Sequence, residues 1–135
     1  MTAADTAAVL FANDAFYLAF QNSDMDQMEK VWSSRDGISC LHPGWPPLIG
    51  RDYVMQSWRS ILANPSQQPV TAHAAVAELH GDCAVVICYE SAGPFTLVAT
   101  NIFVREDDGW KMVHHQSGET PPPQIDHDEP ERTLQ

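Results

Sequence analysis

From Val70 to Ser117 apolar and polar residues alternate in four successive runs, VTAHAAVAEL, CAVVICYE, FTLVATNIFVRE and WKMVHHQS. Successive side chains of an extended chain point to opposite faces, so each run predicts a strand with one buried face. The breaks between them, Gly81-Asp82, Gly93-Pro94 and Asp107-Asp108-Gly109, are too short for anything but tight turns. Strands joined this way form an antiparallel meander, and its apolar face must be covered by the residues that precede it.

Those residues read as helices. Val9, Ala12, Phe16, Ala19 and Phe20 recur at helical spacing behind Thr6, a candidate N-cap, and this helix ends near Gln21-Asn22. Ser23 or Asp24 can cap a second, short helix through Met25, Met28, Val31 and Trp32, which stops before Arg35-Asp36-Gly37. GISCLHP alternates like a strand, with Ile38, Cys40 and His42 on one side. Pro43 to Pro47 is a stiff loop carrying Trp45, because proline lacks a donor and restrains the residue before it. Gly50 opens a third helix whose stripe is Val54, Trp58, Ile61 and Leu62. The fold class is α+β, with a domain over residues 1–118 and an acidic, Pro-rich tail over 119–135.

Length and charge limit function. A chain of 135 residues holds one core, so its chemistry is expected in one pocket or at an oligomer interface. The net charge of −11 repels phosphate backbones and anionic lipid surfaces, which speaks against nucleic-acid and membrane partners. The first residues carry Asp5 and Asp14 and no basic region, so they do not read as a signal peptide. Cys40, Cys83 and Cys88 are odd in number and lack CxxC spacing, against both a disulfide framework and a metal site. The expectation is a cytoplasmic protein.

Hairpin parity assigns faces. With an even-numbered last turn, Asn101 and Phe103 share a face with Trp110, Met112, His114 and Gln116. Across Gly81-Asp82, His73 falls opposite Glu90. Glu90 is then either an edge acid in water at the Ser91-Ala92-Gly93 break or an acid inside a pocket. His42 either caps a backbone carbonyl at a strand end or serves as a base. Trp32, Trp45, Trp58 and Trp110 read most simply as core or interface residues. His73, His80 and His127 are assigned to the surface.

The segments QNSDMDQMEKVW, HPGWPPLIGRDYVMQSW and ATNIFVREDDGWKMVHHQSG resemble the NTF2-like superfamily, in particular its SnoaL-like and ketosteroid-isomerase-like branch, over roughly Ala8 to Gly118. The resemblance implies a cone-shaped half-barrel, a curved antiparallel sheet wrapped around three N-terminal helices, with an apolar pocket at its open end. It also implies a homodimer through the outer sheet face. In ketosteroid isomerases an Asp-Pro pair ends the first strand and shuttles the proton; His42-Pro43 occupies that place, and a histidine can exchange a proton near neutrality. The family's protonated Asp in the oxyanion hole corresponds to Asn101, whose amide can donate at any pH. Its Tyr donor falls on Phe16, with Tyr17 turned about 100° away around the helix. In the similar association domain of the calmodulin-dependent kinase, Arg stands at the places of Glu90 and Asn101.

The resulting expectation is a homodimer whose pocket holds a small apolar ligand with a carbonyl or hydroxyl group. His42, Asn101 and His114 are the candidate catalytic residues, and Trp32, Trp45, Trp58, Glu90 and Phe103 the candidate ligand-binding residues. The reaction would be proton transfer next to a carbonyl, of isomerase, cyclase or dehydratase type, with no metal and no organic cofactor. The alternative is a non-catalytic homodimeric binding or association module.

Overall fold

The structure, a computed structural model, describes residues 2–123. Helices α1 (Ala3–Gln21) and α2 (Met25–Val31) lead into the short strands β1 (Ser39–Leu41) and β2 (Leu48–Ile49). Helix α3 (Arg51–Ala63) follows, and then the meander β3 (Val70–His80), β4 (Cys83–Ala92), β5 (Phe95–Glu106) and β6 (Gly109–Glu119). All six strands form one sheet in the order β2-β1-β6-β5-β4-β3. It curves around the helices without closing, giving the expected α+β half-barrel.

Local signals explain most of the boundaries. Helix α1 starts one turn earlier than Thr6 suggests. Thr2 accepts from the Asp5 N–H while Asp5 reaches back to the Thr2 backbone, a reciprocal cap that outcompetes Thr6. Asp24 caps α2 by accepting from the Gln27 N–H. Gly50, at φ 109°, turns the chain from β2 into α3. Val54, Trp58 and Leu62 of α3 are buried as its stripe requires, together with Met55 and Ser57, while Ile61 is half-buried.

Two connections have no counterpart in the sequence pattern. Leu48–Ile49 returns beside β1, pairing Ser39 with Ile49 and Cys40 with Leu48. Strand β1 then lies parallel to β6, Cys40 opposite His115 and Leu41 opposite Gln116, which fastens the N-terminal half to the last strand. Trp32 bridges to Met112 at the same seam.

Each of the two parity predictions is broken by a β-bulge. The last turn has two residues, and Phe103 pairs with Met112 as expected; the next pair is Ile102 with His114, so Val113 is the extra residue. Beyond the bulge the faces exchange, and His115 rather than His114 points inward beside Asn101. On β3 the register shifts between His73 and Val76, where Ala74 adopts φ 56°. His73 therefore pairs with Tyr89 on the outer face, stacked at 5.9 Å and bonded to Ser91, and Ala72 stands opposite Glu90. The expected tail begins within β6, which ends at Glu119, and residues 124–135, including His127, lie outside the described part.

Candidate functional site

A cavity of about 520 Å³ opens at the end of the half-barrel where β1, β4 and β6 meet the loop after β1. Its lining is mostly apolar, with Phe20, Ile61, Val70, Phe95 and Leu97, beside the amides of Asn64, Gln67 and Gln68, and its floor is polar, from His42, Glu90, His115 and Ser117. An apolar pocket with a few convergent polar groups is the usual form of a small-molecule site.

His42 follows β1 on its buried face. The backbone N–H of Trp45 bonds the His42 carbonyl at 3.0 Å, and this tight turn lays the Trp45 ring 4.9 Å from the imidazole. Trp58 of α3 meets the ring edge to face at 4.8 Å, and Ser57 Oγ lies 2.9 Å from Nε2. Burial, together with His115 nearby, lowers the His42 pKa to about 3. His115 is likewise pushed down to about 3, chiefly by burial and then by its neighbour His114. Both rings are thus neutral at physiological pH.

Glu90 is buried on the inner face of β4, not in water. Tyr17 donates to its Oε2 at 2.6 Å and Ser117 to its Oε1 at 2.5 Å. Burial nonetheless raises its pKa, with the two hydroxyls working in the opposite direction. A network runs behind the floor: Asn101 Nδ2 donates to Asn13 Oδ1 at 2.9 Å and to the Tyr17 hydroxyl at 3.1 Å, and His115 Nδ1 lies 2.6 Å from Asn101 Oδ1.

Of the residues singled out from sequence, His42, Trp45 and Glu90 line the cavity. Trp58 lies directly beneath His42. Asn101 is one layer deeper, fully buried, with both amide hydrogens used within the protein, so it has none to offer an oxyanion. His114 leaves the site because of the Val113 bulge; its Nδ1 lies 2.7 Å from Ser39 Oγ on the other face. Trp32 and Phe103 are closed into the core and do not reach the cavity.

Sequence reasoning passed over Tyr17 and Ser117 and chose His114 over its neighbour His115. Tyr17 and Phe16 are both buried, because they lie on one broad buried face of α1 with Val9, Asn13 and Ala19, while Phe11 and Leu18 on the opposite face are exposed. Phe16 packs its ring 4.9 Å from His115 and 5.4 Å from Trp58, while Tyr17 carries the hydroxyl to Glu90. The fall of hydrophobicity from Trp110 and Met112 to His115 and Ser117 on one strand was the available signal for the polar floor, but the bulge hid which residues shared that face.

A family model for the SnoaL-like domain matches residues 9–120. A candidate dehydratase of the NTF2-like family from Streptomyces avermitilis superposes with a TM-score of 0.80 at 32% identity, over 88% of this chain and 98% of that one. A candidate calcium/calmodulin-dependent protein kinase type II association domain from Thiobacillus denitrificans superposes with a TM-score of 0.73 at 34% identity, over 82% and 93% of the two chains. The F-box protein SKIP8 of Arabidopsis thaliana is 26% identical over 118 residues, 84% of this chain; the chain spans 50% of that relative's length. Among the described residues no helix is long and apolar enough to cross a membrane. With the family model covering most of the chain and the half-barrel shared with these structures, the protein belongs to the SnoaL-like domain family of the NTF2-like superfamily.

Proposed function

We propose that the cavity binds a small, largely apolar ligand and catalyses proton transfer next to a carbonyl, as a dehydration, with His42 as base and Glu90 as acid. The observation that carries this reading is the pairing, in one apolar cavity, of an unprotonated imidazole with a carboxyl group whose proton is held more tightly than usual. His42 removes the proton α to the carbonyl, the electron pair forms the C=C bond, and the β-hydroxyl departs as water with the proton from Glu90. An imidazole with so low a pKa takes up a proton only when negative charge develops nearby, and Glu90 supplies that charge as it releases its own. The likeness to the Streptomyces protein supports the dehydratase form over the isomerase and cyclase forms.

The test uses cyclic β-hydroxy ketones, with the conjugated enone followed by its ultraviolet absorbance. Wild-type protein is expected to turn over members of the set, and His42→Ala to lower kcat by about 10²–10⁴-fold. Compounds that bind without forming enone, or a His42→Ala variant of unchanged rate, would refute the reading.

The second reading, a non-catalytic homodimeric association module, is favoured by the outer sheet face. Val76, Ile87 and Val98 are exposed there on three adjacent strands. The resemblance to the kinase association domain points the same way. Ile87→Lys is expected to convert a dimer to a monomer in sedimentation; dimerisation without turnover would leave this reading standing alone.

A further inference from the structure

Among the described residues, the side-chain hydrogens of the cavity floor are already committed to the protein. Tyr17 and Ser117 give their hydroxyl hydrogens to Glu90, Ser57 gives its own to the Val54 carbonyl at 2.6 Å, and Asn101 gives both of its amide hydrogens to Asn13 and Tyr17. Asn101 Oδ1 can only accept, so the His115 nitrogen facing it, Nδ1, carries that ring's proton. The Ser57 hydrogen is already used, so His42 Nε2 must donate to Ser57 and carries the proton of the other ring. Among the buried side chains of the described residues the unpartnered nitrogens are Asn13 Nδ2, Trp32 Nε1 and Trp58 Nε1, and none of these residues lines the cavity; further donors on its lining belong to Ser60, Asn64, Gln67 and Gln68.

Apart from a proton on Glu90, what the floor offers a ligand is therefore a set of acceptors. His115 Nε2 has no partner among the described residues, and His42 Nδ1 faces only the Cys40 sulfur, at 3.9 Å. Glu90 has lone pairs to spare beyond the two hydroxyls it accepts from. Among the described residues no Lys or Arg lines the cavity, whereas both Glu90 and Glu119 do.

We propose that the cavity grips its ligand by a neutral hydroxyl group, whose hydrogen is accepted by the free Nε2 of His115 and whose oxygen takes the one proton Glu90 can carry, His42 Nδ1 being left for the proton transfer. The proposal rests on the cavity being the ligand site and names the handle by which it selects. A ketone brings an oxygen and no hydrogen, so it leaves His115 Nε2 unmet. An ammonium brings hydrogens but no lone pair for the Glu90 proton. A carboxylate adds negative charge to a cavity that, among the described residues, holds two acids and no Lys or Arg.

The probes are four compounds on one bicyclic skeleton: 2-tetralol, 2-tetralone, 2-aminotetralin and tetralin-2-carboxylate. Calorimetry on the wild-type protein is expected to give the alcohol at least about tenfold the affinity of each of the others, the worth of roughly one hydrogen bond. Any of the three binding as tightly as the alcohol overturns the proposal. Nitrogen-15 NMR supplies a readout that needs no variant: His115 should be protonated on Nδ1 and His42 on Nε2, and a proton on the opposite nitrogen of either ring overturns the donor count. If the ketone binds as tightly while shifting the His42 and His115 signals, the hydroxyl preference fails and the cavity reading survives. If none of the four shifts them, both fail.

Discussion

The two halves of β6 on either side of Val113 face different interiors. Toward the turn, Trp110 and Met112 point into a dry core with Trp32 and Phe103. Outside that end, Arg105 stacks 4.5 Å over Trp110 and pairs with Asp5 and Asp82. Past the bulge, His115 and Ser117 point into the same side of the sheet but meet a cavity and a polar network. One extra residue separates an end that is filled from an end that is left open. The half-barrel is thus stabilised by apolar packing at one end and keeps its chemistry at the other, where every buried polar group needs its own partner.

The largest effect that could break this comparison is a truncation in the closed end. Phe103→Ala should lower the unfolding free energy by about 3–5 kcal/mol, because it leaves a void inside a packed core. Leu97→Ala, beside the existing cavity, should cost about 2 kcal/mol, since the lost side chain enlarges a space already open. Urea denaturation of the two variants measures the contrast, and equal losses would remove the distinction between the ends.

A smaller effect sharpens the chemistry of the open end. His42 and His115 have folded pKa values of about 3, well below the usual 6.5, so the unfolded chain binds protons there that the folded chain refuses. Their contribution is complete above about pH 6.5 and is lost as pH falls toward 3, by at most about 1.4 kcal/mol per pH unit for each ring. Glu90 acts in the opposite sense. Its raised pKa lets the folded chain hold a proton above 4.5 that the unfolded chain releases, which offsets part of the loss in that upper window. Urea midpoints between pH 7 and 4 should therefore fall with pH, and the double variant His42→Gln, His115→Gln should be markedly flatter. An unchanged slope would mean that the two rings are not held neutral by the fold.

The smallest effect lies outside the closed end. Asp82 is highly exposed where it pairs with Arg105, so Asp82→Asn should change stability by less than about 0.5 kcal/mol. A loss of 2 kcal/mol or more would show that the ion pairs, rather than the packing beneath them, secure that end.

Much of the fold was legible before any coordinates. Alternation located the four long strands, and capping and stripe residues located the helices to within a turn. His42 stood out as a histidine before proline at the end of a strand, and Glu90 as an acid among apolar strand residues. The legible part stopped where a contact depended on counting residues across a hairpin. Parity placed His114 on the inner face and His73 opposite Glu90, and both pairings fail because a bulge intervenes; His73 is exposed, in agreement with its assignment to the surface. Tyr17 was set aside for pointing away from Phe16, yet the buried face of α1 is wide enough to hold both and that direction leads to Glu90.

Local preferences are written in the order of residues: the period of two, the turns, the prolines, the caps and the excess of acids outside the strands. These determined the class of fold and the kinds of side chain available to a site. Which of two adjacent histidines enters the cavity, and that Asn101 supports it from behind rather than facing a ligand, was decided by the tertiary structure. The physical reason is that a bulge such as the one at Val113 relieves the strain of curving a sheet around three helices, and that strain exists only once strand, neighbour and helix are packed together.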